Sequence, residues 1–238
     1  MLLIYVFIIM KKSLSFCIFF FIPYLFFCQT SNLINDIQSW NSFELQYQKI
    51  NKTEFSVESG VRFDDNLNNI SKFLTDFTIK REYNKYIDYA IGLRYDRRKN
   101  NTALEERFRW YLDCYLHYKI YPNMTLKART RYQAQSMYDD LFQSSNAEFN
   151  DVDIFTKKIR QKITLNNKMK NETINIYFAS EFFYEIGFGF EKYRFVSGLK
   201  KKISKKFGVS ISGLFQSDFN GDKDNAFFAL RTKLIYSI

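Results

Sequence analysis

The chain has 238 residues, with 35 Lys and Arg against 25 Asp and Glu and a formal net charge of +10 at pH 7. It contains 27 Phe and 17 Tyr but only 2 Pro and 8 Gly, which excludes a Pro/Gly-rich disordered segment. The basic residues alternate along predicted strands and form no basic helix or arm, so we expect no nucleic-acid partner.

The first 28 residues predict a secretory signal peptide. Lys11 and Lys12 form a basic segment, residues 13–27 are almost wholly apolar, and a polar segment begins at Gln29. Export of this kind is typical of a bacterial envelope protein.

The start and the cleavage point of this segment are open to alternatives. Met10 is a more usual start than Met1, because a long apolar stretch ahead of the lysines is atypical. We expect cleavage after Cys28, which leaves residues 29–238 as one domain. A lipid anchor on Cys28 and a retained membrane helix over residues 1–27 are the alternatives.

From Trp40 onward apolar and polar residues alternate with a period of two, which predicts pleated strands with one apolar and one polar face. The hairpin over residues 104–135 shows this best. One face of its first arm carries Phe108, Trp110, Leu112, Cys114, Leu116 and Tyr118. The other face carries Arg107, Arg109, Tyr111, Asp113, Tyr115, His117 and Lys119. Such strands suit a wall between lipid and water.

Eleven segments show this alternation, and a weak strand over residues 32–38 would make twelve. Bacterial single-chain barrels have even strand numbers. The predicted fold is therefore all-β: a single antiparallel transmembrane β-barrel of twelve strands, with both termini in the periplasm. Ten strands, after the loss of one short segment, is the alternative.

The breaks between these segments alternate in length. Short breaks fall at residues 49–52, 83–85, 120–123, 168–171 and 203–206. Longer breaks fall at 64–69, 97–103, 136–152 and 218–225, and the short break at 186–189 is an exception. This pattern predicts short periplasmic turns and longer extracellular loops. Aromatic residues near strand ends would form the interfacial girdles: Trp40, Tyr47, Tyr86, Tyr95, Tyr118, Tyr132 and Tyr236.

A soluble, lipocalin-like periplasmic binding barrel is one alternative to this fold. Its apolar faces would point inward, and roughly five apolar positions on each strand would overfill so small an interior. The charged faces suit a wet lumen, so the pattern favours the bacterial outer membrane as the location.

Charged residues on the polar faces predict a cluster inside the barrel. The candidate lumen residues are Arg107, Arg109, Asp113, His117, Lys127, Arg129, Arg131, Arg160 and Glu181. We expect the arginines to pair with Asp113, Glu181 or Glu58, which would close the interior. An anion-leaning pore and a binding site for a small anionic solute remain the alternatives.

The sequence offers little for catalysis. His117 is the only histidine, and neither a GxSxG nor an HExxH motif occurs. One His and one Cys in the mature chain exclude a Cys/His metal site. We therefore predict no catalytic residue, no cofactor and no metal, and a barrel that is not an enzyme. An outer-membrane phospholipase- or deacylase-like enzyme, with His117 as its base, is the alternative.

Several segments together resemble the DUF2490 family of bacterial outer-membrane-type proteins, which is common in Bacteroidetes. They are Trp40 and residues 56–63, 126–135, 158–169, 177–183 and 191–216. The resemblance implies an outer-membrane barrel and supplies no reaction. The expected partners are the barrel assembly machinery and outer-membrane lipid, including lipopolysaccharide. We interpret the acidic residues Asp139, Asp140, Glu148 and Asp151 as part of a solvated surface loop, and a link to lipopolysaccharide through divalent ions is the alternative.

Overall fold

A computed structural model describes residues 34–100, 103–139, 154–169, 173–219 and 226–238. The predicted signal peptide, both candidate starts and Cys28 lie outside these residues, as does most of the acidic loop. The described part contains no helix that is long and apolar enough to cross a membrane.

Eleven strands make up the described chain. Their bounds are β1 Ile34–Ile50, β2 Thr53–Asp64, β3 Asn69–Glu82, β4 Ile87–Asn100, β5 Ala103–Tyr121, β6 Met124–Asp139, β7 Ile154–Lys168, β8 Ile174–Glu185, β9 Gly189–Lys202, β10 Phe207–Asp218 and β11 Ala226–Ser237. Each strand pairs with its neighbours in the chain, and β1 lies beside β11, so the sheet closes into a barrel. The all-β barrel is confirmed.

The predicted count of twelve strands is wrong for the described residues, and so is the alternative of ten. Residues 34–38 do not form a separate strand, because they continue into β1, which is 17 residues long. All pairs of consecutive strands are antiparallel. With an odd number of strands β1 and β11 run in the same direction, so the closing pair is parallel, and the start of β1 and Ile238 lie at opposite ends of the barrel.

Contacts across this closing pair come from backbone and side chains. The Ile238 amide donates to the Gln46 carbonyl at 2.9 Å. The Lys233 ammonium on β11 lies 2.9 Å from the Glu44 carboxylate on β1. Thr232 and Asn41 hydrogen-bond through their side chains.

The connections at the two ends of the barrel differ less in length than the sequence predicted. The end where β1 starts, here called the loop end, has connections over residues 65–68, 101–102, 140–153, 186–188 and 219–225. The opposite turn end has connections over 51–52, 83–86, 122–123, 169–173 and 203–206. The long loop predicted at 97–103 is wrong, because pairing continues through Arg98↔Glu105 to Asn100↔Ala103. Charged residues that suggested a loop are instead the ends of long strands.

The tight turn between β1 and β2 has a simple backbone explanation. Asn51 and Lys52 both have positive φ, at 51° and 67°. Two-residue hairpin turns of type I′ require positive φ at both central positions, and their backbone follows the right-handed twist of the strands.

The apolar faces of the strands form the outer surface. Large apolar side chains are exposed around the whole barrel, for example Phe43, Phe77, Leu93, Leu112 and Ile163. The arrangement is opposite to that of a lipocalin, whose apolar faces line the interior. Trp40 is the exception among the predicted girdle aromatics, because it is only 8% exposed and lies inside the barrel.

Buried side chains fill the middle of the interior. Every strand except β2 contributes at least one buried side chain to the interior. On one side lies an apolar cluster of Trp40, Ala179, Val196, Leu214 and Ala229. On the other lie the buried polar residues Asp76, Tyr111, Asp113 and Arg131. We call these two groups together the central layer.

Candidate functional site

A cavity of about 290 Å³ opens above the central layer, in the half of the barrel nearest the loop end. Its walls come from every strand, because side chains near the end of each strand point inward at this height. The cavity is lined by Gln38, Trp40, Arg62, Asp64, Ser71, Lys72, Arg94, Arg98, Arg107, Arg109, Gln133, Gln135, Lys158, Arg160, Phe183, Glu191, Lys192, Arg194, Gln216, Asp218 and Phe227.

The charge of this lining is strongly positive. Ten of the lining residues are Lys or Arg, and three are carboxylates, namely Asp64, Glu191 and Asp218. A concave site lined by one sign of charge concentrates counter-ions and raises their rate of entry. The arrangement can therefore attract and hold an anion.

Carboxylates behind the wall hold several of these cations in place. Lys72 lies 3.0 Å from Asp96, and Arg94 Nε lies 2.5 Å from Asp76. Asp96 is only 1% exposed and does not line the cavity itself, so it acts on the cavity by holding its cationic partners. Pairing of this kind offsets the repulsion that crowded cations would otherwise feel.

Arg62 differs from these paired cations. It lies beside Trp40 across the β1–β2 pair, and its guanidinium stacks on the indole at 3.8 Å from the ring centroid. In the described residues no carboxylate lies within ion-pair distance of it. The charges that act on it most strongly are those of Arg94, Arg194, Asp96 and Arg231, and Lys72 lies opposite it on β3.

Two glutamines add hydrogen-bond donors to the wall. The side-chain oxygen of Gln135 accepts from Arg109 at 2.6 Å, and that of Gln133 accepts from Arg160 at 3.2 Å. A guanidinium can only donate, so each amide must turn its oxygen toward the arginine and its NH₂ group away from it. In the described part of the chain neither NH₂ group has an acceptor.

Below the cavity, hydrogen bonds tie the central layer together. The Tyr111 hydroxyl donates to Asp76 at 2.5 Å, and Asp76 also accepts from Thr78 at 2.9 Å. Tyr111 and Leu214, from the two halves of the layer, are each only 1% exposed. The cavity thus ends on packed side chains.

The structure divides the predicted lumen cluster among three heights. Arg107, Arg109 and Arg160 line the cavity. Asp113, Arg129, Arg131 and Glu181 lie at or next to the central layer. His117 and Lys127 face each other across β5 and β6 nearer the turn end, apart from the other seven.

The pairing within this cluster is partly different from the expectation. Asp113 binds Arg131, while Glu181 accepts from Arg129 at 2.5 Å and from Arg160 at 2.8 Å. Arg107 instead uses Glu105, which is two residues away on the same strand. Arg109 lies 3.4 Å from Asp96, and the third expected partner, Glu58, contacts Lys233 at 2.5 Å.

Sequence reasoning missed the most distinctive part of the cavity, which is Trp40 with Arg62, Lys72, Arg94 and Arg194. A signal for Trp40 was available, because it shares the parity of Glu44 and not that of the outward residues Phe43 and Leu45. The interpretation as a girdle aromatic followed residue type and ignored parity.

His117 has the surroundings of a structural residue. Its Nε2 lies 2.7 Å from Asp88, which also contacts Lys80 at 2.8 Å, and its ring stacks on Tyr115. No Ser, Thr or Cys side chain among the described residues hydrogen-bonds to it. The described residues also hold no cluster of His, Cys, Asp and Glu that could bind a metal ion.

These features define a closed β-barrel with an apolar outer surface and a charged interior. The chain belongs to the DUF2490 family, a family of proteins of unknown function, whose model matches residues 37–227. The predicted family is confirmed.

Two other comparisons add little. No match was found among curated proteins. Among solved structures, an anion-selective porin from Comamonas acidovorans is similar at 9% identity and a TM-score of 0.38, over 79% of this chain and 53% of the porin. The chain thus spans about half the length of that porin, and a similarity at this level supports no inference about function.

Proposed function

We propose that this protein is an outer-membrane barrel that binds a small anionic solute in a closed-ended cavity at its loop end. The observation that carries the proposal is the cavity lining, with ten cationic residues against three carboxylates. Carboxylates offset part of the repulsion among these cations, and an anionic ligand would offset the remainder.

The outer surface supports the membrane part of the proposal. Side chains such as Phe108, Leu112 and Leu116 are 45%, 48% and 53% exposed, although they are large and apolar. In water so much contiguous apolar surface would favour aggregation, whereas in a bilayer it is the favourable state. A closed barrel also leaves no unpaired strand edge in the lipid.

Location is tested by fractionation. We expect the protein to sediment with outer membranes, to resist carbonate extraction, and to migrate differently on gels before and after heating. Recovery as a soluble periplasmic monomer would contradict the proposal.

Binding can be followed with a tryptophan at the cavity floor. The chain has two Trp, and Trp110 is exposed on the outer surface beside Tyr132. A Trp110→Phe variant therefore leaves Trp40 as the only tryptophan of the chain. We expect its emission to change saturably with added anion at constant ionic strength, and not with added cation. The matched control is Trp40→Phe, in which the remaining Trp110 should not respond.

A pore is the second candidate, and conductance distinguishes it. Because the central layer is packed beneath the cavity, we expect no steady conductance in planar bilayers. Stable channels with anion preference would instead support the pore. If neither conductance nor anion binding occurs, the barrel has only a structural role.

The enzyme alternative is tested with His117→Ala. We expect purified wild-type protein to show no lipid hydrolysis or deacylation that this substitution removes. Activity that disappears in the variant would establish a catalytic role.

A further inference from the structure

We infer that Arg62, held against Trp40, is the centre of a subsite for a tetrahedral oxyanion, that is, a phosphate or sulfate group. This inference rests on the proposed anion-binding function and names the class of anion.

Arg62 is a cavity-lining cation for which no carboxylate among the described residues lies within ion-pair distance. The charges that act on it most strongly include three arginines, and the carboxylate among them, Asp96, already contacts Lys72 at 3.0 Å and Arg109 at 3.4 Å. A half-buried guanidinium in such surroundings is unfavourable unless an anion joins it. The subsite is therefore arranged for a ligand and not for internal pairing.

The stacked geometry directs how that ligand would bind. The indole covers one face of the Arg62 guanidinium at 3.8 Å, which orients the side chain and leaves the N–H groups at its edge. A guanidinium edge donates two parallel hydrogen bonds to a phosphate or carboxylate. In the part of the chain that is described, no side chain accepts from this edge.

Further cations approach the same point from other strands. Arg194 on β9 and Arg231 on β11 lie 5.5 Å and 5.6 Å from the Trp40 ring centroid, measured from their guanidinium carbons. Arg62, Arg194 and Arg231 therefore surround one ring from three strands. Donors converging from several directions suit a group with three or four oxygens in a tetrahedron better than a planar carboxylate with two.

The rest of the wall also offers donors more than acceptors. Gln133 and Gln135 point their NH₂ groups away from the arginines that hold their oxygens, and Arg194 Nε uses the oxygen of Gln216 at 2.5 Å. A phosphate or sulfate group at pH 7 is almost entirely an acceptor. Hydrogen bonding and charge thus select the same ligand class.

The test compares oxyanions on the full mature barrel in a non-ionic detergent. Inorganic phosphate, sulfate and acetate are titrated at constant ionic strength, with the Trp110→Phe variant as reporter and calorimetry as a second measurement. We expect phosphate or sulfate to bind at least about tenfold more tightly than acetate, since a tetrahedral group accepts more charge-assisted hydrogen bonds than a carboxylate does. Equal binding of acetate would overturn the inference but leave anion binding intact, whereas no binding of any anion would overturn the proposed function as well.

Variants locate the subsite. Arg62→Gln should weaken phosphate binding by at least about tenfold. Arg62→Lys should weaken it less, because lysine keeps the positive charge but not the two parallel N–H donors. The control is Arg97→Gln, whose side chain is 49% exposed and pairs with Glu106 outside the cavity. Unchanged phosphate binding in a heat-modifiable, folded Arg62→Gln barrel would refute the assignment. If that variant does not fold, the wild-type comparison of phosphate with acetate still decides the class of anion.

The oxyanion could belong to a free solute or to lipopolysaccharide. Competition distinguishes the two sources, with purified lipopolysaccharide in one arm and glycerol phosphate in the other. Displacement of bound phosphate only by glycerol phosphate indicates a soluble ligand, and displacement by lipopolysaccharide indicates a lipid-borne one. Failure of both to displace phosphate would count against an ester ligand and leave the inorganic ion.

Discussion

Arg131 and Asp113 form a two-point ion pair across β5 and β6. Arg131 Nε donates to Asp113 Oδ1 at 2.6 Å and Nη2 donates to Oδ2 at 2.7 Å. The guanidinium also stacks on Tyr111, 3.5 Å from its ring centroid, and the Asp113 side chain is 0% exposed. The pair therefore joins the polar half of the central layer to the hairpin that the sequence shows most clearly.

Asp113→Ala should destabilise the barrel strongly. It leaves Arg131 buried without its partner, which typically costs about 3–5 kcal/mol. The measurement is the free energy of unfolding in urea, in detergent or lipid vesicles. Glu106→Ala is the control, because its pair with Arg97 is 3.7 Å long and exposed, and such pairs contribute about 0–1 kcal/mol. A similar effect of both substitutions would contradict the structural role.

Glu181 should be energetically coupled to Arg160. Glu181→Ala removes the acceptor of both Arg160 and Arg129, so we expect it to lower the unfolding midpoint. In a double-mutant cycle with Arg160→Ala, we expect a coupling of about 0.5–3 kcal/mol, because the two groups are in direct contact. Additive effects would show that the contact contributes nothing. Thr130→Ala is the control substitution, because it removes a cross-strand hydrogen bond, from Thr130 to Gln161, that lies on the exposed side of the strands.

Gly92 should tolerate no side chain. A Cβ at Gly92 would lie 2.1 Å from Cζ of Tyr111 and 2.2 Å from its hydroxyl oxygen. Gly92→Ala must therefore displace the Tyr111 ring and its bond to Asp76, and overpacking of this kind costs about 1–3 kcal/mol. Gly208→Ala is the matched control, because its added Cβ would meet nothing closer than 3.5 Å. Equal stability of the two variants would contradict the packing described for the central layer.

A charge on the outer surface should report membrane depth. Leu93 lies near the middle of β4 and is 44% exposed, whereas Tyr86 lies in the turn before β4. Leu93→Arg should cost about 2–4 kcal/mol in lipid vesicles and Tyr86→Arg about 0–1 kcal/mol, since the cost falls toward the interface. The measurement is the unfolding free energy in vesicles. No difference between the two positions would argue against a bilayer around this face.

Local alternation was sufficient to predict most of the strands and the face of each one. Successive side chains in a strand point to opposite faces of the sheet, so Phe108 and Arg107 lie on opposite faces whichever strands pair with β5. The same parity would have placed Trp40 inside. Strand ends were less predictable, because residues such as Arg98 and Glu105 are equally polar in a loop and at the end of a paired strand.

The tertiary structure decided which residues meet. Periodicity along β8 placed Glu181 on a polar face but could not show that Arg129 and Arg160 reach it, because those contacts depend on strand order and register. That no carboxylate of the described residues pairs with Arg62 could not be seen in the sequence either, since Glu58 lies on the same face of the same strand. Only closure of the barrel brings Lys233 of β11 to Glu58 at 2.5 Å.

The sequence by itself thus determined the fold class and the two faces of the wall, because both follow from short-range alternation, and the resemblance of particular segments indicated the family. The number of strands, the parallel closing pair, the packed central layer and the stacking of Arg62 on Trp40 were decided only by the tertiary structure. The physical reason is that a barrel is closed by contacts between the first and last strands, such as Lys233 with Glu44, and the spacing of residues along the chain carries no information about those contacts.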